Sequence, residues 1–442
     1  MTKETVHPKN FEARKVDKRS KQGPTNSLVK GISDYILTRH KSPGEANRNL
    51  DDAVEEHNQG ALPTSVIPKR YTIYEPMLLL GSNFVTQTPA WEAFYSSLTI
   101  ADKHALFSTI TRAFCNAGHK ITHIALNAPI QPRLDEDDAD GNVMRSPTNL
   151  QPLYGDFGPE KLLNSNASQP TQADFDAAFW VQTSQLSGIK QVWAPRWTMF
   201  SRGNISEKAR ILGLEKLNPS PFPGLSNEEL GQEIGEVDVV DFYVGIGYFA
   251  FPYLERGARR VFGWDINGWS VEGLRRGCER NGVGCEVVRV PDFASEQERK
   301  DMVEHVVGVL CGKTRVRCIA FWGDNSFAGP IMGEVGAALG SDTPSLMVRH
   351  CNLGLLPTSQ GSWKDAVKVI DPVQGGWLHV HENAEIDAVE QEKQHVLGVL
   401  AELVTQEKGG SWQISCEHVE MVKTYAPGVG HFVFDIKLWP AR

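Results

Sequence analysis

The C-terminal half of the chain alternates between short apolar runs and amphipathic stretches from residue 237 onward. This alternation predicts an open, mostly parallel sheet with helices on both faces. A helix over 388–406 is followed by two further apolar runs separated by a Pro-Gly pair, which predicts a closing antiparallel hairpin. The predicted strands are 238–243, 260–264, 316–322, 345–351 and 375–381, with the hairpin at 412–422 and 431–439.

The pattern upstream of this domain is different. Residues 1–62 are polar and lack apolar periodicity except near 29–37, so we expect a basic, disordered tail there. Residues 63–185 mix proline-rich apolar runs with two helical patterns, which indicates a smaller N-terminal α+β module. We assign 186–442 to the larger α/β domain.

Composition narrows the class of protein. The chain has 442 residues, 40% of them hydrophobic, and no apolar run long enough to cross a bilayer. With its polar N-terminus, this predicts an intracellular, cytoplasmic protein without a membrane partner. The seven cysteines include no Cys-x-x-Cys pair, so we expect neither a disulfide framework nor a zinc site.

The formal net charge of -9 conceals a basic N-terminus. Residues 1–41 contain ten Lys and Arg against four Asp and Glu. Such a segment can be an arm that binds phosphates, or merely a solvated terminus, and the sequence leaves both open.

A glycine turn follows the first strand of the predicted sheet. Gly245 and Gly247 come shortly after Asp241, and Asp265 ends the next apolar run. This is the arrangement of a nucleotide-binding βαβ unit, in which the acidic residue binds ribose hydroxyls. A dinucleotide site requires a third glycine where Ala250 stands, so the sequence favours S-adenosylmethionine.

Other strand ends carry polar residues. Asp324 and Asn325 follow the strand at 316–322 and are placed to bind an adenine edge, while Ile266 and Trp264 flank Asp265 and could enclose the ring. Ligands in open α/β sheets bind at the carboxyl ends of the strands, so these residues belong to one predicted crevice.

The last two parallel strands add Asn352, His381 and Glu382 to the same predicted crevice. His379 and His381 share a strand face, but no third ligand accompanies them, so we expect no metal.

Six motifs follow one another along the chain, at 67–71, 199–204 with 207–208, 241–249, 323–325, 352–357 and 375–383. With this ordered set, the chain resembles the eukaryotic wybutosine-synthesising aminocarboxypropyltransferases, fungal branch, from about residue 63 to the C-terminus. Ser326 departs from the basic residue expected after Gly-Asp-Asn.

The resemblance implies a class I S-adenosylmethionine-dependent Rossmann-like fold and a transferase acting on phenylalanine tRNA. Such an enzyme moves the 3-amino-3-carboxypropyl group of S-adenosylmethionine to C7 of 4-demethylwyosine at position 37. It implies that Ser201, Arg202 and Asn204 hold the methionine arm, and that Asn352, His381 and Glu382 line the target-base pocket as catalytic residues. The remaining cofactor-binding residues are Asp241, Gly245, Gly247, Asp265, Ile266, Asp324 and Asn325.

Three alternatives remain at this point. A tRNA guanine-N1 methyltransferase has the same fold and cofactor, and a non-catalytic tRNA-binding protein can keep the fold without the chemistry. A nicotinamide dehydrogenase is disfavoured by Ala250 and by the closing hairpin.

Overall fold

The computed structural model describes residues 26–39, 62–127, 150–163, 169–201, 204–291, 295–312, 315–340 and 345–441. The predicted tail therefore lies mostly outside the described residues, apart from a helix at its centre. The helices are α1 (Ser27–Arg39), α2 (Pro89–Ser96), α3 (Ile100–Asn116), α4 (Gln172–Ala177), α5 (Ile205–Ile211), α6 (Asn227–Leu230), α7 (Ala250–Arg256), α8 (Gly268–Arg280), α9 (Glu296–Cys311), α10 (Ala328–Ala338), α11 (Trp363–Val369) and α12 (Val389–Lys408).

Fourteen strands accompany these helices in the described residues. They are β1 (Tyr71–Tyr74), β2 (Met77–Leu80), β3 (His123–Asn127), β4 (Leu150–Tyr154), β5 (Val181–Ser184), β6 (Lys190–Trp193), β7 (Asp238–Asp241), β8 (Arg260–Asp265), β9 (Gly284–Arg289), β10 (Val316–Trp322), β11 (Val348–Leu353), β12 (Gly376–Glu385), β13 (Trp412–Ala426) and β14 (Val429–Pro440).

The chain divides into two compact units. The first comprises the described residues within Met1–Tyr71 and Asn83–Ile121, and the second comprises those within Thr72–Ser82 and Thr122–Arg442. In the first unit α1 packs on α3 so closely that a Cβ at Gly31 would lie 2.7 Å from the Ile110 Cα. The domain boundaries at 62 and 185 stay a prediction.

An eight-stranded sheet forms the centre of the second unit, in the order β13-β14-β12-β11-β7-β8-β10-β9. The strands from β12 to β9 are parallel, and β13 and β14 form an antiparallel hairpin at one edge. This confirms the predicted α/β, Rossmann-like class with a parallel sheet and a C-terminal hairpin. Strand β9 and helix α9 come from the segment 283–315 and extend the opposite edge.

Two smaller sheets belong to the N-terminal part of the chain. One has four strands in the order β1-β2-β3-β4, and the other is the predicted hairpin of β5 and β6. The described residues contain no helix that is both long and apolar enough to cross a membrane.

The central strands are apolar on both faces, as buried parallel strands are. Val239 and Val261 pack with apolar residues of α7 and α8. Their neighbours Val240 and Phe262 point to the other face and pack with residues of α10, α11 and α12. Because both faces are covered by helices, the open rim of the sheet lies at its strand ends.

A buried network of charges joins α5 to the closing hairpin. The Arg210 guanidinium donates to Glu207 at 2.8 Å and to Asp435 on β14 at 2.6 Å. Asp435 also contacts Nδ1 of His379 on β12 at 2.7 Å. Burial alone would raise the pKa of Asp435, but His379 and Arg210 outweigh it and lower that pKa. The network therefore holds a charged Arg210 without contact to solvent.

We predict that Asp435→Asn lowers the free energy of unfolding by about 3 kcal/mol, because it removes half of the charge that balances buried Arg210. Urea unfolding followed by circular dichroism measures the loss. The control Glu296→Gln breaks the exposed pair with Lys300 and should change stability by less than about 0.5 kcal/mol. Equal losses in the two variants would contradict the role of the network.

Candidate cofactor and substrate site

A cavity of about 360 Å³ opens at the carboxyl ends of the parallel strands. Loops after β7, β8, β10 and β11 line it, together with residues of β12 and of the hairpin. Arg202 lies outside the described residues, so its predicted role stays a prediction. The predicted residues that line the cavity are Ser201, Asn204, Gly245, Asp265, Ile266, Asp324, Asn325 and His381.

The glycine turn after β7 has the conformation that its sequence requires. Gly245 and Gly247 have φ angles of 54° and 85°, in the left-handed region that favours glycine. A Cβ at Gly247 would lie 2.4 Å from the Phe251 ring. Gly245 lines the cavity. Gly247 does not line it but packs against the following helix, where a larger residue would not fit.

The carboxylate of Asp265 is held by backbone amides at the cavity wall. Its Oδ2 accepts from the Gly245 amide at 3.0 Å, and its Oδ1 accepts from the Asn267 amide at 2.8 Å. A carboxylate has about four acceptor sites, so it can accept from several donors at once. This geometry suits a vicinal diol such as a ribose.

The turn after β10 places a second carboxylate on the same wall. Asp324 is exposed, and its Oδ1 accepts from the Ser326 amide at 2.7 Å. The Asn325 side chain donates to the Phe242 carbonyl at 2.8 Å, which fixes this turn to the glycine turn. Both residues line the cavity, as predicted.

A tyrosine ties the loop before α5 to the glycine turn. The Tyr248 hydroxyl accepts from the Ser201 amide and donates to the Met199 carbonyl, each at 2.9 Å. Asn204 stands at the N-cap position of α5, yet its side chain makes no capping hydrogen bond and instead lines the cavity. The loop thus presents Ser201 and Asn204 beside Gly245.

Two histidines from neighbouring strands share a hydrogen bond at the far end of the cavity. Nδ1 of His381 lies 2.9 Å from Nε2 of His431. Nε2 of His381 and Nδ1 of His431 are buried and have no hydrogen-bond partner among the described residues. Phe249, Lys423 and the segment 354–356 complete this end of the cavity.

Both imidazoles are held in the neutral form. Burial, followed by the proximity of His431, lowers the pKa of His381 well below its usual value. Burial and the charge of Lys423 lower the pKa of His431 to about 4. Each ring uses one nitrogen in the shared hydrogen bond, in which one ring donates and the other accepts. The second nitrogen of each ring can therefore bind another partner.

Comparison with known proteins places the chain among tRNA-modifying proteins. It is 35% identical over 421 residues to tRNA wybutosine-synthesizing protein 2 of Schizosaccharomyces pombe, covering 93% of this chain and 84% of that protein. It is 32% identical over 405 residues to the protein of the same name in Saccharomyces cerevisiae, covering 84% and 74%. The chain belongs to the tRNA wybutosine-synthesizing protein 2 family.

This assignment confirms the resemblance inferred from the six motifs, and it rests on the two sequence relatives. A solved P. horikoshii TYW2 in complex with MeSAdo is 14% identical, with a TM-score of 0.48 and coverage of 93% of this chain and 99% of that one. No family model matches the chain.

In this member of the tRNA wybutosine-synthesizing protein 2 family, two of the three predicted catalytic side chains do not line the cavity. Asn352 is 1% exposed and donates to Asp241 at 3.2 Å. Glu382 accepts from the Ser359 amide at 2.8 Å and from its hydroxyl at 3.0 Å. Successive side chains of a strand point to opposite faces, so β12 cannot direct both His381 and Glu382 into the cavity. Of the three, His381 lines the cavity, and its catalytic role stays a prediction.

Asp241 is a buried residue beneath the turn and does not itself line the cavity. Its Oδ1 accepts from the Tyr243 amide at 3.2 Å and from Asn352, while its Oδ2 is buried without a partner. Burial raises the pKa of Asp241 to about 7. Trp264 is also buried, stacked on Phe321 at 4.0 Å, so it cannot enclose an adenine.

Sequence reasoning missed several residues of the site, among them Tyr248, His431 and Lys423. Tyr248 lies inside the recognised glycine motif, but its contact with residue 201 depends on tertiary packing. His431 and Lys423 lie on the hairpin, where they are paired across the ladder of β13 and β14. Both hairpin strands carry several polar residues, so the sequence alone does not single out these two.

We predict that Asp241→Asn changes the pH dependence of stability. Between about pH 4 and 7 the unfolded chain ionises this carboxyl while the folded chain keeps it protonated, so the wild type loses stability as pH rises. Asn cannot ionise. Relative to the wild type, the variant should therefore gain about 4 kcal/mol from pH 4 to pH 8, as measured by urea unfolding at each pH. A constant difference at every pH would contradict the buried, protonated state.

Proposed function

We propose that the chain transfers the 3-amino-3-carboxypropyl group of S-adenosylmethionine to C7 of 4-demethylwyosine at position 37 of tRNA(Phe). The coarser function, an S-adenosylmethionine-dependent tRNA transferase in wybutosine synthesis, follows from the family. One observation carries the finer proposal. A single cavity joins the glycine turn and two carboxylates at one end to a neutral histidine pair at the other.

The donor fits the end of the cavity formed by β7, β8 and β10. Asp265 would accept from the ribose hydroxyls, with its orientation already fixed by two backbone amides. Asp324 and Ile266 would contact the adenine, and Gly245 permits close approach of the backbone to the nucleoside. Asp241 and Gly247 would act indirectly by supporting the turn.

The choice of transferred group depends on the loop before α5. The sulfonium of S-adenosylmethionine activates each of its three attached carbons, so the carbon that faces the nucleophile is the one transferred. Ser201, Asn204 and Arg202 would bind the carboxylate and amine of the methionine arm and direct its γ-carbon toward the base. The Tyr248 hydroxyl fixes this loop to the glycine turn, so arm and nucleoside are held by one rigid unit.

The target base would lie between Phe249, the segment 354–356 and the histidine pair. As the C7–Cγ bond forms, the S–Cγ bond breaks and its electron pair stays on sulfur, releasing methylthioadenosine. C7 then carries a proton that must leave to restore the aromatic ring. Nε2 of His381 is the buried, unpartnered atom suited to accept it.

His431 can complete this proton transfer. If Nδ1 of His381 donates to Nε2 of His431, then Nε2 of His381 has its lone pair available for the substrate proton. The Nδ1 proton can pass to His431 as the new proton arrives. A low pKa is sufficient here, because a protonated ring carbon is a strong acid.

The tRNA would be bound outside this cavity by basic residues. The basic segment within 1–62 and the module at 63–185 remain the proposed contacts, and Lys423 places a cation at the cavity wall. Phosphate contacts would make affinity fall steeply with salt. Cytoplasm remains the proposed compartment.

We expect that tRNA(Phe) carrying 4-demethylwyosine acquires label from carboxyl-labelled S-adenosylmethionine and none from methyl-labelled donor. Scintillation counting of the recovered tRNA, with chromatography for methylthioadenosine, measures the transfer. The control is tRNA(Phe) with unmodified guanosine at position 37. Entry of methyl label would instead identify a guanine methyltransferase, and no entry of either label would identify a non-catalytic tRNA-binding protein.

We predict that His381→Gln lowers kcat by about 100-fold while leaving the Kd for S-adenosylmethionine unchanged, because it removes the proton acceptor but no donor contact. His431→Gln should lower kcat by about 10-fold, since His381 loses the partner that orients its ring. Single-turnover kinetics and calorimetry measure the two quantities. His395→Gln, on the exposed face of α12, is the control. A rise in KM with kcat unchanged would show that His381 only contacts the base.

A further inference from the structure

Three cysteines that are distant in sequence converge at the edge of the main sheet. Cys278 is in the last turn of α8, Cys285 is near the start of β9 and Cys318 is in β10. Their sulfur atoms all lie within 4.8 Å of one another. None of the three lines the cavity described above, so the cluster is separate from the proposed active site.

The local folding explains this convergence. Cys285 and Cys318 are partners in the parallel register of β9 and β10, which places their side chains on the same face of the sheet. Helix α8 covers that face, and its C-terminal turn brings Cys278 over the pair. The helix begins directly after Asn267, so one element connects the Asp265 loop to the cluster.

Ordinary core packing does not require this arrangement. A buried cysteine commonly serves as a small apolar residue, and Cys278 and Cys318 are both 0% exposed. A cluster of three thiols differs from a single buried cysteine, because apolar packing does not require sulfur atoms to lie next to one another. Among the Cys, His, Asp and Glu side chains within the described part of the chain, these three cysteines form the group whose ligand atoms lie close enough together to bind one ion.

We infer that Cys278, Cys285 and Cys318 form a binding site for a thiophilic metal ion, with Zn²⁺ as the physiological candidate. Zinc binds thiolates at about 2.3 Å, which puts two sulfurs of one site about 4 Å apart. The observed spacing reaches this value with shifts of less than about 1 Å. Three sulfur ligands exclude the hard cations Mg²⁺ and Ca²⁺ and select soft ones.

The fourth zinc ligand comes from the solvent side. Cys285 is partly exposed while the other two thiols are fully buried, so water can reach the ion next to Cys285. This makes a three-sulfur, one-water coordination. A bound ion would connect the end of α8 to both edge strands.

Binding of Zn²⁺ depends on pH, because zinc binds thiolates. As the three Zn–S bonds form, the thiols release their protons to solvent, so affinity rises with pH.

Cobalt binding tests the site in the full-length chain, reduced with a phosphine and freed of metal by a chelator. One equivalent of Co²⁺ should produce sulfur-to-cobalt charge-transfer absorption, which Zn²⁺ then displaces. Cys285→Ser should abolish the absorption, and the exposed Cys311→Ser should retain it. No absorption in the wild type, or absorption that survives Cys285→Ser, would overturn the site.

A second measurement avoids any folding defect of the variant. In the wild type, one equivalent of Zn²⁺ should protect Cys285 from alkylation by iodoacetamide, as mapped by mass spectrometry, while Cys311 stays reactive. Zinc at about 100 times its Kd should also raise the Tm by about 5 °C. Unchanged alkylation of Cys285 in the presence of Zn²⁺ would reject the proposal.

Discussion

The buried ion pair between Arg210 and Asp435 links the two parts of the site that must act on one substrate. Arg210 belongs to α5, whose preceding loop carries Ser201 and Asn204. Asp435 belongs to β14, which also carries His431. Because both charges are fully buried, neither can leave the pair without a large cost in desolvation. The loop proposed to hold the methionine arm and the strand proposed to face the target base are therefore fixed relative to each other.

The remaining site follows from the sheet order. Parallel strands end at the same edge of the sheet. The order of the strands is therefore enough to bring the loops after β7, β8, β10 and β11 together. The hairpin adds what the parallel strands cannot supply. Its antiparallel pairing places His431 opposite the segment of β12 that holds His381, and this makes the shared hydrogen bond possible.

The sequence alone predicted seven of the eight strands of the main sheet and several of the residues at their ends, because buried parallel strands are continuous apolar runs bounded by turns. It missed β9 at the edge of the sheet. It failed where a contact depends on which face of a strand a residue occupies. Glu382 and His381 are equally plausible by sequence, and only the register of β12 separates them. Trp264 was misplaced for the same reason. The Tyr248 contact and the three-cysteine cluster depend on packing between elements far apart in the chain, and no spacing rule reveals them.

The neutrality of the histidine pair has a consequence for how charge moves through a turnover. The donor arrives with a positive sulfonium, which a protonated imidazole beside it would repel. Burial prevents that protonation in the resting pocket. In the proposed reaction the sulfonium becomes a neutral thioether, and its positive charge passes to the modified base and then, as a proton, to His381. The pocket would therefore hold one mobile positive charge throughout the reaction, and it would return to its resting state only when that proton leaves through His431.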